Sequence, residues 1–223
     1  MSIIPNKISV YGDSVALGLA ARIAQHPAFC GFNDYARGGN SLAANLAGDC
    51  AGPLFGGLTF AEHIATVDDA DIVVLHLGGN DQMTARTGAA LGPGAVPLDF
   101  IGSDGLQIAA DALVHIQHAK AAGKRVVVCG IPYLDPVKLQ SVMGLTPDQV
   151  DGIVVRAVTI NMGLRCVVGL TGVCFVATYG APVSAGQPIP GADSTVDGVH
   201  PSPAYADAVG AFLANHIAQH FNI

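Results

Sequence analysis

The chain has 223 residues, 51% of them hydrophobic and only 12% charged, a composition that buries a large core and excludes intrinsic disorder. Ten Lys and Arg against seventeen Asp and Glu leave a net charge of −7. No basic run occurs, so no nucleic-acid partner is expected. The length fits one domain over residues 1–223. Mean hydropathy is +0.47, which raises the question of a membrane span. Residues 166–192 carry no charge but contain five Gly and three Pro, which excludes a spanning helix there. The six residues before Lys7 are too few for the apolar segment of a signal peptide, so the expectation is a soluble chain of open compartment and open oligomeric state.

In chain order, residues 7–11 (KISVY) read as a β-branched strand running into Gly12-Asp13, and residues 14–25 as an amphipathic helix. Residues 32–36 form a short second strand. Residues 71–77 (DIVVLHL) make a near-continuous apolar run, as in a strand buried on both faces. Residues 80–101 are a long Gly/Pro-rich loop of the kind that covers a site. A helix over 103–122 stops at Gly123, a strand follows over 124–131, and Thr146-Pro147-Asp148 opens a helix through about 168. The last strand is 173–178 and the last helix 202–220. Strands alternating with helices point to an α/β fold with a parallel sheet covered on both faces, five strands in flavodoxin-like order.

In such sheets ligands bind beyond the carboxyl ends of the strands, which directs attention to Gly12-Asp13-Ser14, Arg37-Gly38-Gly39-Asn40, Gly78-Gly79-Asn80-Asp81 and Asp197-Gly198-Val199-His200. A serine hydroxyl needs a neighbouring base to become a nucleophile. Ser14 sits where a strand turns into a helix, and its own N–H lies among the unpaired donors of the helix start. His200 supplies an imidazole base, and Asp197, three residues earlier, can hold the other ring nitrogen. Gly39, which directly precedes Asn40-Ser41, offers a backbone N–H, and Asn80 a side-chain amide, for a tetrahedral oxyanion.

GDS at 12–14, the glycines of ARGGNS at 36–41, GGND at 78–81 and DGVHP at 197–201 together resemble the four blocks of the GDSL or SGNH hydrolases, in order and spacing over almost the whole chain. The resemblance implies a three-layer α/β/α fold and ester hydrolysis through an acyl-enzyme, without a cofactor or metal. It implies Ser14 as nucleophile, His200 as base and Asp197 as orienting acid, with Ser14 N–H, Gly39 N–H and Asn80 as the oxyanion hole. No GxSxG elbow occurs.

Tyr11, Tyr35, Tyr133 and Tyr179 fall at strand ends on the same edge and are candidates to line an acyl or alcohol pocket, with ordinary packing as the alternative. Arg37 is a candidate grip on an anionic substrate group, or a partner of Asp34 or Asp81. The expected substrate is a small ester, a short-chain acyl (acetyl) group on carbohydrate, by analogy with the family. The alternatives are a lipid-active lysophospholipase or thioesterase, an O-acyltransferase, and an idle glycan-binding module. His115 and His118 are expected to face solvent, and His76 to sit in the core. Five cysteines occur without a CxxC pair, so no structural zinc site is expected. Cys30–Cys50 and Cys166–Cys174 are possible disulfides, with buried thiols as the alternative.

Overall fold

The computed structural model describes residues 6–37, 42, 57–77, 103–131, 134–178 and 194–223. In chain order these form β1 (Asn6–Gly12), α1 (Ser14–Ala24), β2 (Phe29–Ala36), α2 (Phe60–Thr66), β3 (Ile72–His76), α3 (Ser103–Ala121), β4 (Arg125–Cys129), α4 (Pro136–Ser141), α5 (Pro147–Thr171), β5 (Cys174–Val176) and α6 (Pro203–Phe221). The five strands are all parallel in the order β2-β1-β3-β4-β5, the flavodoxin-like arrangement expected from the sequence.

Alternation along the central strands divides the core in two. Ile8 and Val10 of β1, Ile72 and Val74 of β3, and Val127 and Cys129 of β4 pack under α1 and α6. Tyr11, Val73, Leu75, Val126 and Val128 pack on the other face, under α2, α3 and α5. Every residue of β3 is buried, which is why that strand reads as an unbroken apolar run. Each such Val or Leu contributes about 1.5–3 kcal/mol on burial. On the α1/α6 side the two helices come close at Gly210, where a Cβ would stand 2.6 Å from Arg22 Cβ.

Two helices were not foreseen from the pattern of apolar residues. Both carry legible start signals: Thr59 and Glu62 form a reciprocal capping box for α2, and Asp135 caps α4 ahead of Pro136. Strand β2 starts three residues earlier than expected. It is an edge strand with a mostly half-exposed or exposed pattern, so its first residues carry no apolar run. Among the described residues α5 is long and apolar enough to cross a membrane. Its inner side, including Ile153, Ala157, Ile160 and Leu164, is part of the core.

Candidate active site

Strand β1 ends in a turn that admits no side chain. A Cβ on Gly12 would lie 2.1 Å from Ala16 Cβ and 3.1 Å from the His76 carbonyl oxygen, so helix and strand meet here only through glycine. Asp13 then caps α1, its Oδ1 accepting from Val15 N–H at 2.9 Å. Ser14 is the first residue of the helix, so its N–H has no acceptor within the helix.

The other half of the site is a closed loop just before α6. Thr195 and Pro201 form an antiparallel bridge, Val196 N–H donates to His200 O at 2.9 Å, and Ser202 N–H donates to Ser194 O at 2.8 Å. Within the loop, Asp197 Oδ1 accepts from Val199 N–H at 3.0 Å and from His200 N–H at 2.8 Å. Gly198 has φ +104, and a Cβ there would meet Leu139 N at 2.7 Å; only glycine satisfies both demands. Gly198 O accepts from Asp135 N–H at 2.9 Å, and Lys138 Nζ donates to Thr195 O. The loop therefore rests on α4, and Asp135, Lys138 and Leu139 are positioning residues that reading the motif alone did not reveal.

The two halves meet. His200 Nδ1 lies 2.7 Å from Asp197 Oδ2, and His200 Nε2 lies 2.9 Å from Ser14 Oγ. A carboxylate at Nδ1 takes that nitrogen's proton in a hydrogen bond, which leaves Nε2 as the acceptor facing the Ser14 hydroxyl. Burial acts to raise the Asp197 pKa, but the His200 ring and the N–H groups of His200 and Val199 outweigh it, and the carboxyl is held below its ordinary value. All three side chains are neither fully buried nor fully exposed, so the chain of hydrogen bonds is reachable from solvent.

Gly39 and Asn80 lie outside the described residues; β2 and β3, the strands that precede them, flank β1 on either side. Beneath the Ser14 turn, His76 is buried and pairs in register with Gly12. Burial lowers its pKa, with Asp13 acting in the opposite direction, and its Nε2 has no hydrogen-bond partner among the described residues.

Several expectations need correction. Tyr11 is fully buried: its hydroxyl donates to Asp68 Oδ2 at 2.9 Å and lies 2.9 Å from His63 Nδ1, while its ring packs edge-on against Phe60. Tyr35 belongs to the same cluster, 4.9 Å from the Tyr11 ring and 4.5 Å from His63, and burial together with Asp68 and Asp69 pushes its pKa up to about 12. Tyr133 and Tyr179 lie outside the described residues, as do Asp81 and Cys50. Arg37 N–H donates to Gly12 O at 2.9 Å, which puts this residue beside the Ser14 turn; among the described residues its buried Nε has no hydrogen-bond partner and no ion pair joins it to Asp34. Cys166 and Cys174 are free thiols, the first exposed on α5 and the second buried in β5. His115 is buried, because it falls on the Asp111, Ala112, Ile116, Ala119 stripe of α3.

No protein-family model matches the chain, and no curated protein does. Its fold, however, is that of solved hydrolase structures. A protein from Slackia heliotrinireducens classed with the SGNH hydrolases aligns at 20% identity and TM-score 0.61 over 95% of this chain and 98% of that one. Psychrotrophic esterase EstA from Pseudoalteromonas sp. aligns at 13% identity and TM-score 0.59 over 98% and 100%. An acetyl xylan esterase aligns at 14% identity and TM-score 0.55 over 96% and 98%. With a five-stranded parallel sheet in the order 2-1-3-4-5 between two helical layers, the chain has the three-layer fold of the SGNH hydrolases.

Proposed function

We propose that the protein is a serine hydrolase that cleaves carboxylic esters through an acyl-enzyme. The observation that carries this reading is the hydrogen-bonded chain Ser14 Oγ, His200 Nε2, His200 Nδ1, Asp197 Oδ2 at 2.9 and 2.7 Å. Ser14 Oγ attacks the acyl carbonyl carbon as its proton passes to His200 Nε2. The carbonyl oxygen takes up the negative charge and is met by Ser14 N–H, Gly39 N–H and the Asn80 amide. The bond from the acyl carbon to the alcohol oxygen then breaks, and His200 returns its proton to the departing alcohol. Water, deprotonated by the same imidazole, attacks the acyl-Ser14 ester, and the acid leaves with the Ser14 hydroxyl restored.

The substrate in this reading is a short acyl ester, an acetyl group on a carbohydrate hydroxyl. What supports it is the acetyl xylan esterase that shares the fold. Arg37, whose N–H bonds Gly12 O beside the Ser14 turn, and Tyr133 and Tyr179 are the proposed contacts with the alcohol portion. Hydrolysis of p-nitrophenyl acetate, butyrate and octanoate by wild type and Ser14→Ala tests both levels. Turnover that depends on Ser14 and falls with chain length is expected. Faster turnover of octanoate would overturn the short-acyl assignment, and equal rates in the two proteins would overturn the hydrolase.

A further inference from the structure

Helix α5 has two apolar sides. Val150, Ile153, Ala157, Ile160 and Leu164 face the core, where α5 packs against α3. The opposite side carries Val155, Val158, Met162, Cys166 and Leu170, all exposed. Steps of three and four residues place them in one line along the helix. Met162 is 63% exposed and Leu170 84%. A continuous apolar line of this length marks a contact surface, unlike single scattered residues. Charge borders it unevenly: exposed Asp151 lies one turn before Val155, and exposed Arg165 lies three residues after Met162. Arg165 is held over the Phe175 ring of β5, 5.5 Å from its centroid.

We infer that this side of α5 is the two-fold interface of a homodimer, with α5 lying antiparallel to its copy. The charges select the occupant. In an antiparallel pair Asp151 of each chain meets Arg165 of the other, twice by symmetry, whereas a parallel pair sets Asp against Asp. The register this fixes also satisfies the apolar residues. Val158 lies midway between Asp151 and Arg165, a span of about 21 Å along the helix, and so falls on the axis against its own copy. Val155 then lies within one residue, about 1.5 Å along the axis, of Met162 of the second chain, and Leu170 within one residue of Pro147. One line of residues is thus complementary to itself in both shape class and charge. The inference does not depend on the esterase reading.

Sedimentation equilibrium over a range of protein concentrations tests it. The wild type is expected to form a dimer that dissociates on dilution, and Met162→Glu to be monomeric with unchanged circular dichroism and ester turnover; Val158→Lys is a second variant with the same expected outcome. Asp151→Arg and Arg165→Asp should each raise the dimer Kd about tenfold, and the double exchange should restore it. In a Cys166→Ser background, Val158→Cys should form a disulfide-linked dimer on mild oxidation, whereas Leu17→Cys, on α1, should not. A chain that stays monomeric at high concentration, or a dimer unaffected by Met162→Glu, would overturn the interface. Failure of the double exchange to restore affinity would overturn the antiparallel arrangement. A monomeric chain that pellets with neutral phosphatidylcholine vesicles through Met162 would assign the face to lipid and overturn the proposal as well.

Discussion

Among the described residues, two hydrogen-bonded chains are built from a hydroxyl, an imidazole and a carboxylate. One joins Ser14, His200 and Asp197 at the end of the sheet; the other joins Tyr11, His63 and Asp68 on the face covered by α2. The residue types are nearly the same, but the order differs. In the first, the imidazole stands between the other two, so it can take a proton from the hydroxyl while the carboxylate steadies the charge that forms. In the second, the phenol stands in the middle and gives its one proton to Asp68, so the His63 Nδ1–H must be the donor to Tyr11 O. Ser9 Oγ also donates to Asp68 Oδ2, at 2.7 Å. Burial and the neighbouring Asp68 push the Tyr11 hydroxyl far above its ordinary pKa, and burial lowers that of His63. Tyr11, His63 and Asp68 are all buried. Residue types do not make a site: sequence of bonds and access to solvent do.

Variants separate the two chains by what they change. Asp197→Asn should lower kcat by about 10⁴-fold with the fold intact, because the amide no longer holds the ring with Nε2 as acceptor; a loss below tenfold would remove Asp197 from the proposed site. Asn80→Ala should cost about 10²–10³-fold in kcat with little change in KM, as for a donor used mainly in the transition state. Equal losses in binding and turnover would point to a substrate contact instead. Tyr11→Phe should do the reverse. It leaves the His63 N–H and the Asp68 carboxylate short of a partner, costing about 1–3 kcal/mol in a denaturant midpoint, while turnover per folded molecule is unchanged. A matching fall in kcat would join the buried chain to catalysis.

Stability also depends on pH. Burial pushes His115 down from 6.5 to about 4; its Nδ1 lies 2.8 Å from Asp111 O, and its ring packs on Phe60 at 4.5 Å. The unfolded chain therefore binds a proton at a higher pH than the folded one does. Stability from this group is complete above about 6.5 and is lost as pH falls toward 4, on the order of 3 kcal/mol in all. His63 and His76, also lowered by burial, act in the same direction. His115→Phe should flatten the slope of stability against pH in that window, and an unchanged slope would remove His115 from it.

The strands and their order were legible because buried parallel strands are written as short β-branched runs, with β3 the clearest case. That Ser14, Asp197 and His200 come together was legible because each sits in a short motif at a strand or helix boundary. Tyr11 was misread for a related reason. It stands one residue before the end of β1, but alternation turns its side chain into the core under α2, and position along a strand does not reveal which face a residue takes. His115 was misread because its helical stripe was not followed through Asp111, Ala112, Ile116 and Ala119. Support of the His200 loop by α4 was illegible, since it depends on Gly198 and Leu139 meeting across 59 residues of chain.

Acylation of Ser14 is the step on which the proposed hydrolase rests. Incubation with a p-nitrophenyl phosphonate ester, followed by intact-mass and peptide mass spectrometry, tests it directly. Loss of ester turnover in step with one covalent phosphonyl group per chain, located on Ser14 and absent from Ser14→Ala, is expected. An adduct on another residue, or full turnover in a chain whose Ser14 is completely modified, would contradict it.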